Sequence, residues 1–489
     1  MRHASRIFTG VLLAVVSLGA AAAPAAANGK ERGGHEAWAI DQSDTTADGG
    51  GTLYVYRGAA LRGRSAPSRP PEVVDLGGAA RDLCLKETLT APRRPHMLAF
   101  NAAHTHAVIA FVATGHVLFM DAASRTPIRC IDAGVQAHAA FPAPNEKYVV
   151  VANQNGKLLQ RIATDFETNR FVLEDAATLN LATCTTPNGD PCEAAALRPD
   201  NAPICPVIDS TSRFTFVTLR GGGMFVVDNT ATPMRIVAEY DMATVHPNGC
   251  GGLETAGRMY INSGGGTPAN PLESDLYAFP ASEYSGFPKP RNTPTPALVF
   301  SHDARGFVDS HGTALTKHGR YLWVADRAAN RIVVVDARRA VAVNEIELAG
   351  SVSDDPAPDL LGSAPDGNRV YASLRGPAPL TANVPGVNNA VGTTPGVGVL
   401  KVTHGGFSGR LRAVAPISHP VAGNELADPH GLAVRETGRK RWRQTAPKRY
   451  GASAAPRNGS AKAAGGEWSE WRARQGRWDS GAGRALCEL

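Results

Sequence analysis

The chain has 489 residues, 43% hydrophobic and 6% aromatic, with 51 Gly, 35 Pro and a formal charge of +6. Abundant Val, Leu and Ala with 19% charged residues exclude a disordered chain. No internal apolar run reaches the roughly 18–20 residues of a spanning helix, which excludes a polytopic membrane protein.

Arg2 and Arg6 precede an apolar stretch from Ile7 to Ala23, and small residues continue through Ala25, Ala26 and Ala27. That order predicts a secretory signal peptide, residues 1–27, with an uncleaved anchor as the alternative. An exported chain can use disulfides. Of the seven Cys, six lie between Cys84 and Cys250 and the seventh, Cys487, sits near the end. Cys184 and Cys192 bracket a turn-rich TTPNGDP stretch, so a small disulfide loop is predicted there. Spacing alone does not choose among the remaining pairings. No C-x-x-C-H occurs, which removes a covalently attached haem.

Internal periodicity organises the rest. His96-Met97-Leu98-Ala99-Phe100 precedes the apolar run His106 to Phe111, and His138-Ala139-Ala140-Phe141 precedes Tyr148-Val149-Val150-Val151-Ala152-Asn153. His311-Gly312-Thr313-Ala314-Leu315 precedes Tyr321-Leu322-Trp323-Val324-Ala325-Asp326, followed by Arg331-Ile332-Val333-Val334-Val335-Asp336. Asp359-Leu360-Leu361 leads to Asp366-Gly367-Asn368-Arg369-Val370-Tyr371-Ala372. Each unit is a set of short β-rich runs separated by Gly, Pro, Asn and Asp turns.

These units resemble the YVTN-repeat (YncE-like) β-propeller family, over about residues 35 to 435 and most clearly at 311–336. The resemblance implies a ring of four-stranded blades. Full units can be laid out from His96, His138, Ile204, Gly249, His311 and Asp359, which makes six. Ala37–Gln42, Thr52–Arg57 and Glu72–Leu76 supply three more strands, and Asp428-Pro429-His430-Gly431-Leu432-Ala433-Val434 supplies a fourth. The prediction is an all-β chain: a seven-bladed β-propeller over residues 28–438, closed by N- and C-terminal strands sharing one blade. Closure leaves no long exposed edge between the first and last blades.

A propeller's innermost strands line its channel, and the residue opening each strand sits near one mouth. Alignment on the turn position (His104, Glu146, Gly319, Gly367, Gly438) places His96, His138, His311, Asp359 and His430 at that opening. They fall on consecutive blades, as one arc. A repeated His that caps strand entry is one reading. A convergent cluster binding copper or zinc is another, and acid–base groups working near neutral pH are a third. Neighbouring blades are the expected partners for any shared ion, because opposite positions stand too far apart for direct ligation.

Cys205 and Cys250 each follow an opening position in consecutive blades, and a disulfide between them is the first expectation. Free thiols, or a thiolate metal site with His246, are the alternatives. Arg305, Asp309, Glu425 and Asp428 lie just before opening positions and are read as solvated loop charges, with the channel mouth as their other destination. No G-x-S-x-G elbow occurs, which removes the most recognisable serine-hydrolase signature.

Residues 439–489 contain no Val, Ile or Phe but four of the six Trp, and carry a net +8. They read as a solvated basic tail or a segment translated out of frame. Without tail and signal peptide the propeller is mildly acidic, at −4, so the basic balance gives no case for nucleic acid. The expected protein is a soluble, secreted or periplasmic monomer that binds a small molecule or an extracytoplasmic protein at a His-lined mouth. The alternative is an enzyme using the same His. A lactonase-like hydrolase is one version, since that family's His at strand entry is similar to Arg94-Pro95-His96. A copper-dependent oxidoreductase, from propellers that also present His from strand starts, is the other.

Overall fold

Most second and third strands are apolar on both faces, as strands pressed between two layers must be. Ala37 to Ile40, Val149 to Ala152 and Ile332 to Val335 are buried along their whole length. Outer strands such as Ala297–Ser301 and Val341–Glu347 are half exposed. A computed structural model describes residues 34–437 apart from 65, 265–273, 287, 303–308 and 381–390. The proposed signal peptide and basic tail lie outside the described residues.

Seven sheets form the ring. The first blade runs Glu72–Asp75, Thr52–Arg57, Gly34–Asp41 and Pro429–Thr437 from rim to axis, so the chain's last strand is its innermost. That closing strand pairs antiparallel with Gly34–Asp41, with Gly34 opposite Thr437 and Trp38 opposite Ala433. Blades two to seven begin at Pro95, Ala137, Pro203, Gly252, Ser310 and Pro358 and run outward in chain order. The closure predicted from the sequence is therefore present.

Apolar side chains fill the seams between blades. Trp38, Ile40 and Leu53 of blade one meet Ile109 and Leu118 of blade two. Ala37, Ala39 and Tyr56 meet Tyr371, Val397 and Val399 across the seam that completes the ring. Burial is worth ~25 cal/mol per Å² of apolar surface, so each seam stabilises both blades that meet in it.

Three disulfides are present. Cys184–Cys192 closes the predicted small loop, and Cys205–Cys250 ties blade four to the segment entering blade five. The third, Cys84–Cys130, joins the helix Ala79–Thr88 to the outer strand Pro127–Asp132 of blade two. Among the described residues no helix is long and apolar enough to cross a membrane.

Candidate functional site

Each inner strand enters the ring through the same local distortion. The pairing register slips at Pro95/Met97, Ala137/Ala139, Pro203/Pro206, Ser310/Thr313 and Pro358/Leu361, so His96, His138, Ile204, His311 and Asp359 fall within bulges. A bulge re-aims a side chain, here towards the axis. Eight residues later the turn position has positive φ in six blades: His104 57°, Glu146 60°, Ser212 67°, Gly257 76°, Gly319 63° and Gly367 65°. The repeat alignment therefore rests on a shared backbone conformation as well as on residue type.

The five opening residues meet at the axis. The His96 and His430 rings stack with centroids 3.8 Å apart, His96 and His138 lie at 4.5 Å, and His311 and His430 at 5.1 Å. His311 and His430 belong to blades separated by a third, so the centre is tighter than a ring of neighbours. All five are buried, from 0% exposed for His96, Asp359 and His430 to 6% for His138. They pack across the channel instead of lining an open mouth.

Hydrogen bonds assign the tautomers. Asp428, an obligate acceptor when ionised, takes the Gln42 amide N–H at 2.9 Å, which turns Oε1 of Gln42 towards Nδ1 of His96 at 2.7 Å. Nδ1 of His96 is therefore the donor and Nε2 keeps its lone pair. Nδ1 of His430 donates to the His96 carbonyl at 3.2 Å, leaving the lone pair on Nε2. Nδ1 of His311 donates to the Asp359 carboxylate. Burial holds the pKa of His96 and His430 well below the usual imidazole value and lowers that of His138 to about 3. These imidazoles are neutral, the form that ligates metal.

A chain of alternating charge runs alongside. Arg327 bridges Asp309 at 2.6 Å and Asp359 at 3.0 Å, and Arg375 bridges Asp359 at 2.9 Å and Asp428 at 2.6 Å. Burial would raise the Asp359 pKa, but the Arg327 guanidinium and the hydrogen bond from His311 hold it well below the carboxylate range. Asp309 and Asp428 are 0% exposed, which corrects their reading as solvated loop charges. The guanidiniums that neutralise them come from a different part of the repeat. Arg327 and Arg375 each follow a second strand, sixteen residues after His311 and Asp359, where Gln154 and Arg220 stand after His138 and Ile204. That spacing is a signal that could have found them.

The weaker candidates lie elsewhere. His246 is bonded to Asp275, whose carboxylate also accepts from the Tyr277 hydroxyl at 3.0 Å. Glu425 accepts from the amides of His419 at 2.6 Å and Ala427 at 2.8 Å and so holds its own loop. Arg305 lies outside the described residues.

Two features fit a cation. The Nε2 atoms of His96 and His138 face each other at 3.3 Å, close to the about 3.3–3.4 Å between ligands of a tetrahedral ion with bonds of roughly 2.0–2.1 Å. Nε2 of His430 is buried without a hydrogen-bond partner among the described residues and stands 3.6 Å from an Asp359 oxygen, two electron-rich atoms facing each other. A proton between His96 and His138 leaves that second confrontation in place, whereas a cation relieves it. Ligand atoms of His311, Asp359 and His430 all lie within 4.8 Å of one another. Asp359 is already engaged by two guanidiniums and His311.

Asp41 supports the closing strand by accepting the Asp428 amide at 2.8 Å, and burial pushes its pKa up to about 6 from 3.8. Its neutral form is favoured by folding, so its stabilising contribution is full below the unfolded pKa and lost as pH rises through 6. Replacing Asp41 with Asn should therefore move stability in the variant's favour by about 2 kcal/mol more at pH 7.5 than at pH 4. Urea unfolding at the two pH values measures the difference, and an equal offset at both contradicts the assignment.

The fold and its centre define a class: a seven-bladed β-propeller with an imidazole, carboxylate and guanidinium cluster on its axis. No family model matches the chain, and no curated protein matches it. Solved structures share the fold. The periplasmic gluconolactonase of Pseudomonas aeruginosa is similar with a TM-score of 0.50 at 12% identity, over 82% of this chain and 99% of that one. A putative 6-phosphogluconolactonase from Bacteroides fragilis gives 0.47 at 11%, over 82% and 98%. Hydrazine synthase from Kuenenia stuttgartiensis gives 0.44 at 13%, over 63% and 76%. At such identities the likeness is one of fold alone.

Proposed function

We propose that this protein is an exported, YVTN-like propeller that binds one transition-metal ion, zinc or copper, among the imidazoles of His96, His138, His430 and His311 at its axis. The observation that carries the reading is the packing at the axis of neutral imidazoles whose Nδ1 hydrogens are already committed to Gln42, the His96 carbonyl and Asp359. Gln42 and Asp359 orient their rings as outer partners, and such partners raise ligand basicity. Imidazole suits both zinc and copper. Three disulfides support the exported compartment, where such bonds persist.

Lactone hydrolysis, the activity in the names of two neighbours, is the weaker reading. Rings packed at 3.8 and 4.5 Å leave room for an ion between nitrogens but not for a sugar lactone. Metal analysis and competition titration of protein purified without a His tag test the proposal. One equivalent of zinc or copper per chain, held against a weak chelator, is expected. Protein that retains no metal and takes up none on titration overturns it.

A further inference from the structure

Beside the imidazole centre lies a second set of donors. One ring nitrogen of His138 and the sulfurs of Cys205 and Cys250 all lie within 4.8 Å of one another, and all three residues are buried. The sulfurs are joined in a disulfide and so offer no thiolate. The buried His138 ring lies against the Ile204 backbone, next to Cys205, while its Nε2 faces His96. One imidazole therefore stands between two potential seats, one of nitrogen donors and one of sulfur.

We propose that the Cys205–Cys250 disulfide is a redox switch: its reduction creates a Cys2His seat for a soft or borderline cation, with His138 shared between that seat and the imidazole centre. The reductant is a thiol of the dithiol class. One of its thiolates attacks a sulfur of the pair, the S–S bond breaks, and a mixed disulfide forms. The second thiol of the reductant then closes its own disulfide and releases two cysteine thiols. Two electrons pass to the protein, and each thiol gives up its proton when it takes the ion. Cys250 is 5% exposed and Cys205 0%, so attack begins at Cys250.

The two seats differ in softness. Thiolates select zinc, copper(I) and related ions more strongly than imidazoles do. In the oxidised protein the ion sits among imidazoles; in the reduced protein it moves towards sulfur and is held more tightly. The arrangement extends the reading of the axis as a cation site, and the two can fail separately.

Cobalt(II) distinguishes them, because thiolate ligation adds an intense near-ultraviolet charge-transfer band that imidazole and carboxylate ligands do not produce. Folded protein is treated with a phosphine reductant, the opened cysteines are mapped by alkylation and mass spectrometry, and cobalt(II) is added. The expected result is a sulfur-to-cobalt band in the reduced protein only, absent from the Cys205→Ser/Cys250→Ser double variant, with affinity at least tenfold lower in His138→Ala. In wild type alone, zinc should protect Cys205 and Cys250 from alkylation, a readout that does not depend on the variants folding. A bond that stays closed in the folded protein overturns the switch. So does a reduced protein with no band and no protection, or a band that survives in the double variant. Failure of the oxidised protein to bind any cobalt instead strikes the imidazole site and leaves the sulfur result to be read separately.

Discussion

Replacing Arg375 with alanine is expected to destabilise the folded ring by about 3–5 kcal/mol, the range for removing one partner from a buried charge pair. Arg375 is 0% exposed and meets Asp428 through Nε at 2.6 Å and Nη2 at 2.7 Å, and Asp359 through Nη1 at 2.9 Å. Truncation leaves three buried carboxylates, Asp309, Asp359 and Asp428, with one guanidinium, Arg327, in place of two. Asp428 would keep only neutral donors, the Gln42 amide and the Leu380 amide. The damage reaches the ring seam, because Asp428 immediately precedes the closing strand Pro429–Thr437. Lysine at this position keeps the charge but not the forked geometry, and should recover part of the loss. Urea midpoints, with disulfides intact, rank wild type above Arg375→Lys and that above Arg375→Ala. A loss below about 1 kcal/mol for the alanine variant would show that the pair is not structural.

The second large effect falls on metal affinity. Replacing His430 with alanine removes an imidazole that stacks on His96 and whose Nε2 is presented to the centre. Affinity for zinc should fall by more than about a hundredfold, beyond the 10–100-fold typical of an outer partner. Gln42→Leu keeps every ligand but removes the group that fixes the His96 tautomer, and should fall within that smaller range. Added imidazole should restore binding to His430→Ala by filling the vacated space, while leaving Gln42→Leu unchanged. Competition titration against a chromophoric chelator measures all three. Equal losses in the two variants would mean that His430 is not a direct ligand.

Blades, their number and the shared closing blade were legible from local features. Short β-branched runs, turn residues at matched offsets, and three strands at one end of the repeats with a single strand at the other specify a closed ring without reference to long-range contacts. The opening residues were legible as well, because His96, His138, His311, Asp359 and His430 repeat at one offset from a turn residue that is left-handed wherever it is described. What escaped was their depth and their company. A residue's distance from the axis depends on how closely seven blades pack, which no single repeat encodes, so an arc of neighbours became a packed centre.

Arg327, Arg375 and Gln42 escaped for a related reason. They stand at the ends of second strands, and only the bulged first strands place their carboxylate and imidazole partners within reach. Asp309 and Asp428 resemble loop charges in sequence, and only the guanidiniums opposite make their burial tolerable. Cys84 escaped because its helix, Ala79–Thr88, buries only Ala80 and Cys84 and carries little apolar pattern of its own.

Crystals of the oxidised, tag-free protein grown with zinc, with anomalous diffraction collected at the zinc edge, would locate the ion. The predicted result is one dominant peak on the propeller axis, about 2.0–2.1 Å from imidazole nitrogens of the His96, His138, His430 and His311 set. An axis without a peak, with zinc only at surface residues, would contradict the claim.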